Sequence, residues 1–335
     1  MSGFDQSGPS PLNLLILCTF LAAGIALAPV LIQRAYRAPR IPEQGTPADR
    51  DLPYREARIE TRQGKQLFAW LIPADQNAEP APTVIILHGW GGNAEQMLPF
   101  AVPLHRAGFA VLLFDARNHG RSDPDGLSSL PRFAEDLEDA LDWVARCPEV
   151  DPQRLAVLGH SVGAGAVLLT ASRRPRLAAA ISIAAFAHPE QLMERHLRSK
   201  HIPRPIVWLV LRFIEYRIQA RFDDIAPCQT IRRAQCPVLL VHGEDDARVP
   251  FEEANQIHAN RQDDRVELLP IPDAGHESID AIDLHADALV TFLSRHIVTD
   301  QPRSSADTSP FDAPESASCS PATSPADSEI VSSTC

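Results

Sequence analysis

Leu155-Ala156-Val157-Leu158-Gly159-His160-Ser161-Val162-Gly163, followed by the stretch AGAVLLTAS at 164–172, decides how the rest of the chain is read. Leu155 to Leu158 is an apolar run of strand length, too apolar for a strand with one wet face. Residues 164–172 suit a helix. Between them, Gly159-His160-Ser161-Val162-Gly163 fits G-x-S-x-G, a strand–turn–helix that holds a serine on a strained, exposed turn. The two glycines suit a place where neighbouring backbone passes close. Five residues match such a pattern often by chance, and the flanking strand and helix make the signal specific. The bland alternative is a glycine-rich turn whose serine merely caps a helix.

Working outward, apolar runs of the same kind recur at Thr83–Leu87, Ala110–Phe114, Ala178–Ile183 and Val238–Val241. Helical patterns at 93–107, 132–146 and 250–260 separate them. The first opens on Asn93 with Gln96 three residues later, like a capping box, and stops at Gly108. Strands alternating with helices predict an α/β protein with a mostly parallel central sheet and helices on both faces. Two earlier strands, near 54–60 and 65–72, flank Gln63-Gly64 and predict an antiparallel hairpin at the sheet edge.

A serine hydroxyl is a weak nucleophile, so it needs a base, and the base needs an orienting acid. Two segments sit just past strand ends, where open α/β sheets place ligands. His242-Gly243-Glu244-Asp245-Asp246-Ala247-Arg248-Val249-Pro250 offers two acids, Asp245 and Asp246. Asp273-Ala274-Gly275-His276 follows the strand at 266–269 and offers His276 as base. His258 and His285 fall in helical patterns, and His242 directly ends a strand. His276 capping the last helix is the alternative. An oxyanion needs two donors. His88-Gly89-Trp90-Gly91-Gly92 follows the strand at 83–87, so the N–H groups of Trp90 and Val162 are the candidates. No GK[ST] follows these glycines, which excludes a nucleotide P-loop.

Taken together, these motifs resemble the α/β-hydrolase superfamily, and among its members the serine-aminopeptidase-like and monoglyceride-lipase-like hydrolases. The resemblance covers about 80–298. Asp115-Ala116-Arg117-Asn118-His119-Gly120-Arg121-Ser122 is similar to the D-x-R-x-H-G-x-S loop of that family, which is structural there. Residues 242–250 resemble its H-G-x-x-D-x-x-V-P, an alignment that falls on Asp246, and Gly275-His276 matches its Gly-His. The resemblance implies the α/β-hydrolase fold and a Ser161–Asp246–His276 triad acting through an acyl-enzyme, without a metal or organic cofactor. A small-molecule acyl substrate is expected, first an ester or thioester with an apolar acyl group. A peptidase or aminopeptidase on short peptides comes second and an acyltransferase third. A catalytically dead scaffold sits poorly with a complete set of motifs.

Around this core the 335 residues hold 44% hydrophobic and 22% charged side chains, an ordinary globular balance. The formal net charge of −12 and the lack of a basic stripe exclude a nucleic-acid binder. Six scattered cysteines without a CxxC pair predict free thiols rather than a zinc site. Residues 1–11 form a short tail. Leu12 to Ile32 is apolar except for Asn13 and Thr19, long enough to cross a bilayer. Arg34, Arg37 and Arg40 follow it, and the positive-inside rule then predicts a single-pass anchor with the body on the cytoplasmic side. Residues 33–52 read as a linker and 53–298 as the folded domain. The Ser/Pro-rich acidic tail 299–335 cannot bury a core and is expected to be disordered. Within the domain, a short helical lid is expected at about 188–227. Its segment PIVWLVLRFIEYRIQA, 205–220, offers Trp208, Leu211 and Phe213 as acyl-binding candidates, and it is apolar enough to touch lipid as well.

Overall fold

The computed structural model describes residues 37–74, 80–276 and 285–298, together with Leu12, Leu15, Thr19 and Arg34. The chain divides into two compact units, Met1–Ala38 and Pro39–Cys335. In the first, the four isolated positions are helical. The spanning segment expected at 12–32 otherwise lies outside the described residues, as does the tail from 299 on. Among the described residues no helix is long and apolar enough to cross a membrane.

The second unit is built on an eight-stranded sheet: β1 (Arg55–Glu60), β2 (Gln66–Ile72), β3 (Ala81–Leu87), β4 (Ala110–Phe114), β5 (Val150–His160), β6 (Ala179–Ile183), β7 (Val238–Gly243) and β8 (Val266–Ile271). Their spatial order is β1-β2-β4-β3-β5-β6-β7-β8. β1 and β2 form the expected hairpin, and β2 joins β4 antiparallel. Every later pairing is parallel. The helices are α1 (Leu98–Arg106), α2 (Leu130–Val144), α3 (Val162–Ala171), α4 (Pro189–Ser199), α5 (Arg204–Ile218), the single turns α6 (Phe222–Ile225) and α7 (Pro227–Thr230), then α8 (Phe251–Ala259) and α9 (Ala286–Leu293).

Alternation along the strands explains why the runs are apolar throughout. Phe68, Trp70, Val84, Ile86, Leu158 and Ile181 point into a cluster shared with α1 and α9. Their neighbours Leu67, Leu71, Ile85, Leu87 and Val157 are equally buried, and α3 packs on β5 and β6. A strand with two dry faces has no polar period to show.

Three local differences from the sequence reading have physical causes. Only a 3₁₀ turn, Glu95–Met97, forms before α1. The side chain of Asn93 accepts from the Gln96 N–H at 3.2 Å, and Pro99 then sits in the first turn of the α-helix proper. Next, α2 starts at Leu130 because Ser129 caps it. Thirdly, residues from Pro39 onward, read as linker, lie packed on the domain: Pro47 is buried within a 3₁₀ turn and Leu52 joins the core. Of the cysteines read as free thiols, Cys228 is a buried thiol, whereas Cys147 is disulfide-bonded.

The lid region forms α4 and α5. Val207, Leu211 and Ile214 of α5 are buried, one turn apart along a single face. Ile206, Trp208, Leu209 and Tyr216 are exposed, and Phe213 is half-buried beside the Arg217 guanidinium. Ion pairs from Arg212 to Glu190 and Glu215 tie α5 to α4 and to itself.

Candidate active site

The parallel register brings the ends of β3, β5, β7 and β8 to one edge of the sheet, and the four motifs are the loops at that edge. Ser161 follows β5 with φ +55° and ψ −115°, a conformation that costs a non-glycine residue roughly 1–3 kcal/mol. The turn around it is too tight for side chains on its flanks. A Cβ on Gly159 would sit 2.4 Å from the Gly163 carbonyl oxygen, and one on Gly163 would sit 2.5 Å from that of His88. The Ser161 N–H is held by Ile183 O on β6 at 2.9 Å. The strain is thus held from both sides, and the hydroxyl is left partly exposed above the sheet.

The Ser161 hydroxyl donates to His276 Nε2 at 3.0 Å. His276 Nδ1 in turn donates to Asp246 Oδ2 at 2.7 Å. The carboxylate fixes the tautomer, because it can only accept. The other carboxylate oxygen, Oδ1, accepts the N–H groups of Arg248 at 2.9 Å and Val249 at 2.7 Å. Burial works against the charge on Asp246. The hydrogen bonds from His276 and Val249, with the nearby imidazoles, outweigh it and hold the carboxyl below its ordinary range. Asp245, one residue earlier, is exposed, and its N–H bonds to Ala274 O. Of the two acids the sequence offered, only Asp246 meets the histidine.

The segment 88–92 lies against the serine: a Cβ on Gly89 would be 3.2 Å from Ser161 Cβ. Residues 89–92 form a β-turn closed by the Gly92 N–H on Gly89 O at 3.1 Å. Gly91 occupies its third position with φ +75°, as a type II turn requires. Trp90 therefore presents its N–H from the turn's second position, and Val162 is the first residue of α3, whose amide has no helical carbonyl to bond.

Three histidines that sequence reasoning did not assign brace these parts. His88 accepts the Ala116 N–H on Nε2 at 3.0 Å and donates from Nδ1 to Gly89 O at 2.7 Å. Burial pushes it down to about 4, so it stays neutral and keeps both roles. His160, the variable residue of the elbow, donates from Nε2 to His276 O at 2.9 Å. His242 is likewise kept neutral by burial and donates to Val249 O at 2.8 Å, steadying the loop that carries Asp246. All three lie inside the quoted motifs, so position marked them even though no role did. Arg117, almost wholly buried, bonds Asp136, Glu135 and Asp125 and fastens the 115–122 loop to α2. Of the lid candidates, Leu211 lies on the buried face of α5, Phe213 at its margin and Trp208 outward. Among the described residues no cluster of side chains could hold a metal ion.

A nucleophile, a base and an orienting acid in line is the arrangement that acyl transfer through serine requires. Residues 78–221 match the family model described as serine aminopeptidase, S33. An uncharacterized protein of Mycobacterium tuberculosis is 28% identical over 249 residues, 74% of this chain and 82% of its own length. The uncharacterized protein YfhR of Escherichia coli is 27% identical over 241 residues, 69% of this chain and 78% of its own. The solved structure of the Pyrococcus furiosus esterase Pf2001 superposes with a TM-score of 0.63 at 25% identity, over 78% of this chain and 98% of that one. The structure of Est1E from Butyrivibrio proteoclasticus with ferulic acid bound shares the fold at a TM-score of 0.57 and 22% identity, over 72% of this chain and all of that one. The chain is an α/β-hydrolase-fold serine hydrolase, esterase-like in its structural neighbours.

Proposed function

We propose that this protein hydrolyses a carboxylic ester or thioester with an apolar acyl group through an acyl-enzyme on Ser161. The observation that carries the reading is the unbroken hydrogen-bond chain Ser161–His276–Asp246. His276 Nε2 takes the hydroxyl proton as Oγ attacks the carbonyl carbon. The N–H groups of Trp90 and Val162 receive the oxyanion of the tetrahedral intermediate. As that intermediate collapses, His276 returns the proton to the departing alcohol or thiol. Water, deprotonated by His276, then adds to the acyl-enzyme, and the acid leaves with Ser161 restored. Asp246 keeps Nδ1 protonated and stabilises the imidazolium in both halves.

The apolar outward face of α5 and the apolar stretch 12–32 favour a substrate met at a bilayer, with 12–32 as the anchor. A peptidase is the second reading, favoured by the description of the matching family model. Profiling the purified protein on ester, thioester and aminoacyl-amide substrates of one acyl group separates the two. Turnover of the oxygen and sulfur esters far above the amide is the expected outcome, and the reverse order establishes the peptidase. Fusing reporters after residue 298 reads the side of the membrane. Arg34, Arg37 and Arg40 predict a body on the cytoplasmic side, and exported reporter activity would refute it.

A further inference from the structure

The segment that begins the second unit crosses the loop beside the serine and the 115–122 loop next to it. Pro39 lies directly on Gly91: a Cβ there would be 2.7 Å from Pro39 Cγ. Asn93 Nδ2 donates to Ile41 O at 3.1 Å, and the Gln44 N–H donates to Glu95 Oε2 at 2.7 Å. On the other side Arg40 donates from Nε to Gly120 O at 2.7 Å and from Nη2 to Ser122 O. Glu43 brings a carboxyl whose oxygens are both buried, against Asp115 in the space that a Cβ on Gly120 would fill. Asp115 itself accepts the Ala94 and Arg121 N–H groups, each at 2.8 Å. Asp115 therefore ties the 115–122 loop to the end of the 88–94 segment, and the Glu43 carboxyl of the strap lies beside it.

We propose that residues 39–46 are a positioning strap for the oxyanion turn, clamped to Gly91 and Asn93 on one side and to Gly120 and Ser122 on the other, so that the direction of the Trp90 N–H is fixed. The inference rests on the reading that Trp90 binds the oxyanion. The turn has need of such a brace. Gly89, Gly91 and Gly92 leave it with more backbone freedom than other residues would, and an oxyanion donor works only if it is already aimed when charge develops. His88 fastens the entry to the turn. The strap fastens its apex and exit.

The clamp also has a titratable part. Burial, and then the bond and the charge of Asp115, push Glu43 up to about 8, with Arg121 pulling the other way. The charged groups acting on it are Asp115 and Arg121. Below that value Glu43 is a neutral acid able to donate to Asp115. As pH rises through it, two carboxylates face each other and the contact is lost.

The test uses the full-length protein and a soluble short-chain ester. Arg40→Ala and Glu43→Ala should lower kcat by about tenfold, less than the ~10²-fold that removing an oxyanion donor outright costs, with KM within about twofold and the protein folded. Glu43→Gln keeps a donor that cannot ionise. It should retain wild-type kcat at pH 7 and lack the decline in kcat expected of the wild type as pH rises through about 8. Arg40 is exposed, so its variant reports even if Glu43→Ala unfolds. Unchanged kcat in Arg40→Ala, or the same alkaline decline in Glu43→Gln as in the wild type, overturns the strap. Both results leave the triad reading intact as long as Ser161→Ala is inactive; an active Ser161→Ala removes that reading instead.

Discussion

The loop edge of the sheet and the helix α5 are both rich in side chains that a folded protein would not place idly, yet they are organised in opposite ways. At the edge, the polar atoms of Ser161, His276, Asp246, His88 and His242 are each engaged within the domain. On α5, four large apolar side chains, Ile206, Trp208, Leu209 and Tyr216, are between 51% and 70% exposed. The first region is complete within the chain. The second presents an apolar face outward. The proposed function gives chemistry to the edge and selection to the helix, and each assignment can be broken separately.

The largest effect should come at the acid. Asp246→Asn leaves the His276 tautomer unsupported and should lower kcat by about 10³–10⁴-fold, while Asp245→Asn should stay within about threefold. Steady-state kinetics on one ester decide it, and a larger loss at position 245 would break the account of the edge. The Asp246 carboxyl is held below its ordinary pKa in the fold. Its contribution to stability is therefore present above ~3.9 and fades as pH falls through the depressed value. Asp246→Asn should accordingly flatten the acid side of the stability profile, read by thermal melts from pH 3 to 7.

Gly163→Ala comes next. Its methyl would meet the His88 carbonyl oxygen at 2.5 Å, which should destabilise the fold by about 1–3 kcal/mol and displace the turn beside the serine. Chemical denaturation measures the first and kcat the second. A variant as stable and active as the wild type would mean that the elbow is not constrained as described.

Trp208→Ala is the smallest. An exposed side chain should change stability by no more than about 0.5 kcal/mol and leave turnover of a soluble short ester alone. The same acyl group presented in lipid vesicles should be turned over more slowly. Equal loss on both substrates would move Trp208 from the surface contact to the acyl site.

The sequence carried the edge well because its constraints are local. Gly159-x-Ser161-x-Gly163 and the segments holding Asp246 and His276 are short, and a parallel sheet gathers strand ends whatever the loops contain. Choosing Asp246 over Asp245 took a family resemblance, since only the fold reveals which carboxyl turns inward. The strap was not legible. Residues 38–52 have the proline and polar content of a linker, and what holds them is Arg40 on two backbone carbonyls some 80 positions later and Asn93 and Glu95 on the strap's own backbone. Such long-range polar contacts leave no periodicity to read. The lid was legible as apolar and helical. Which side each residue takes was not, because Val207, Leu211 and Ile214 look no different in sequence from Ile206, Leu209 and Phe213.

Treatment of the full-length protein with a fluorophosphonate, followed by peptide mass spectrometry, tests the central claim most directly. A single phosphonyl adduct on the peptide containing Ser161, absent in Ser161→Ala and formed much more slowly in His276→Ala, is the predicted result. An adduct on another residue, or undiminished labelling of Ser161→Ala, would contradict it.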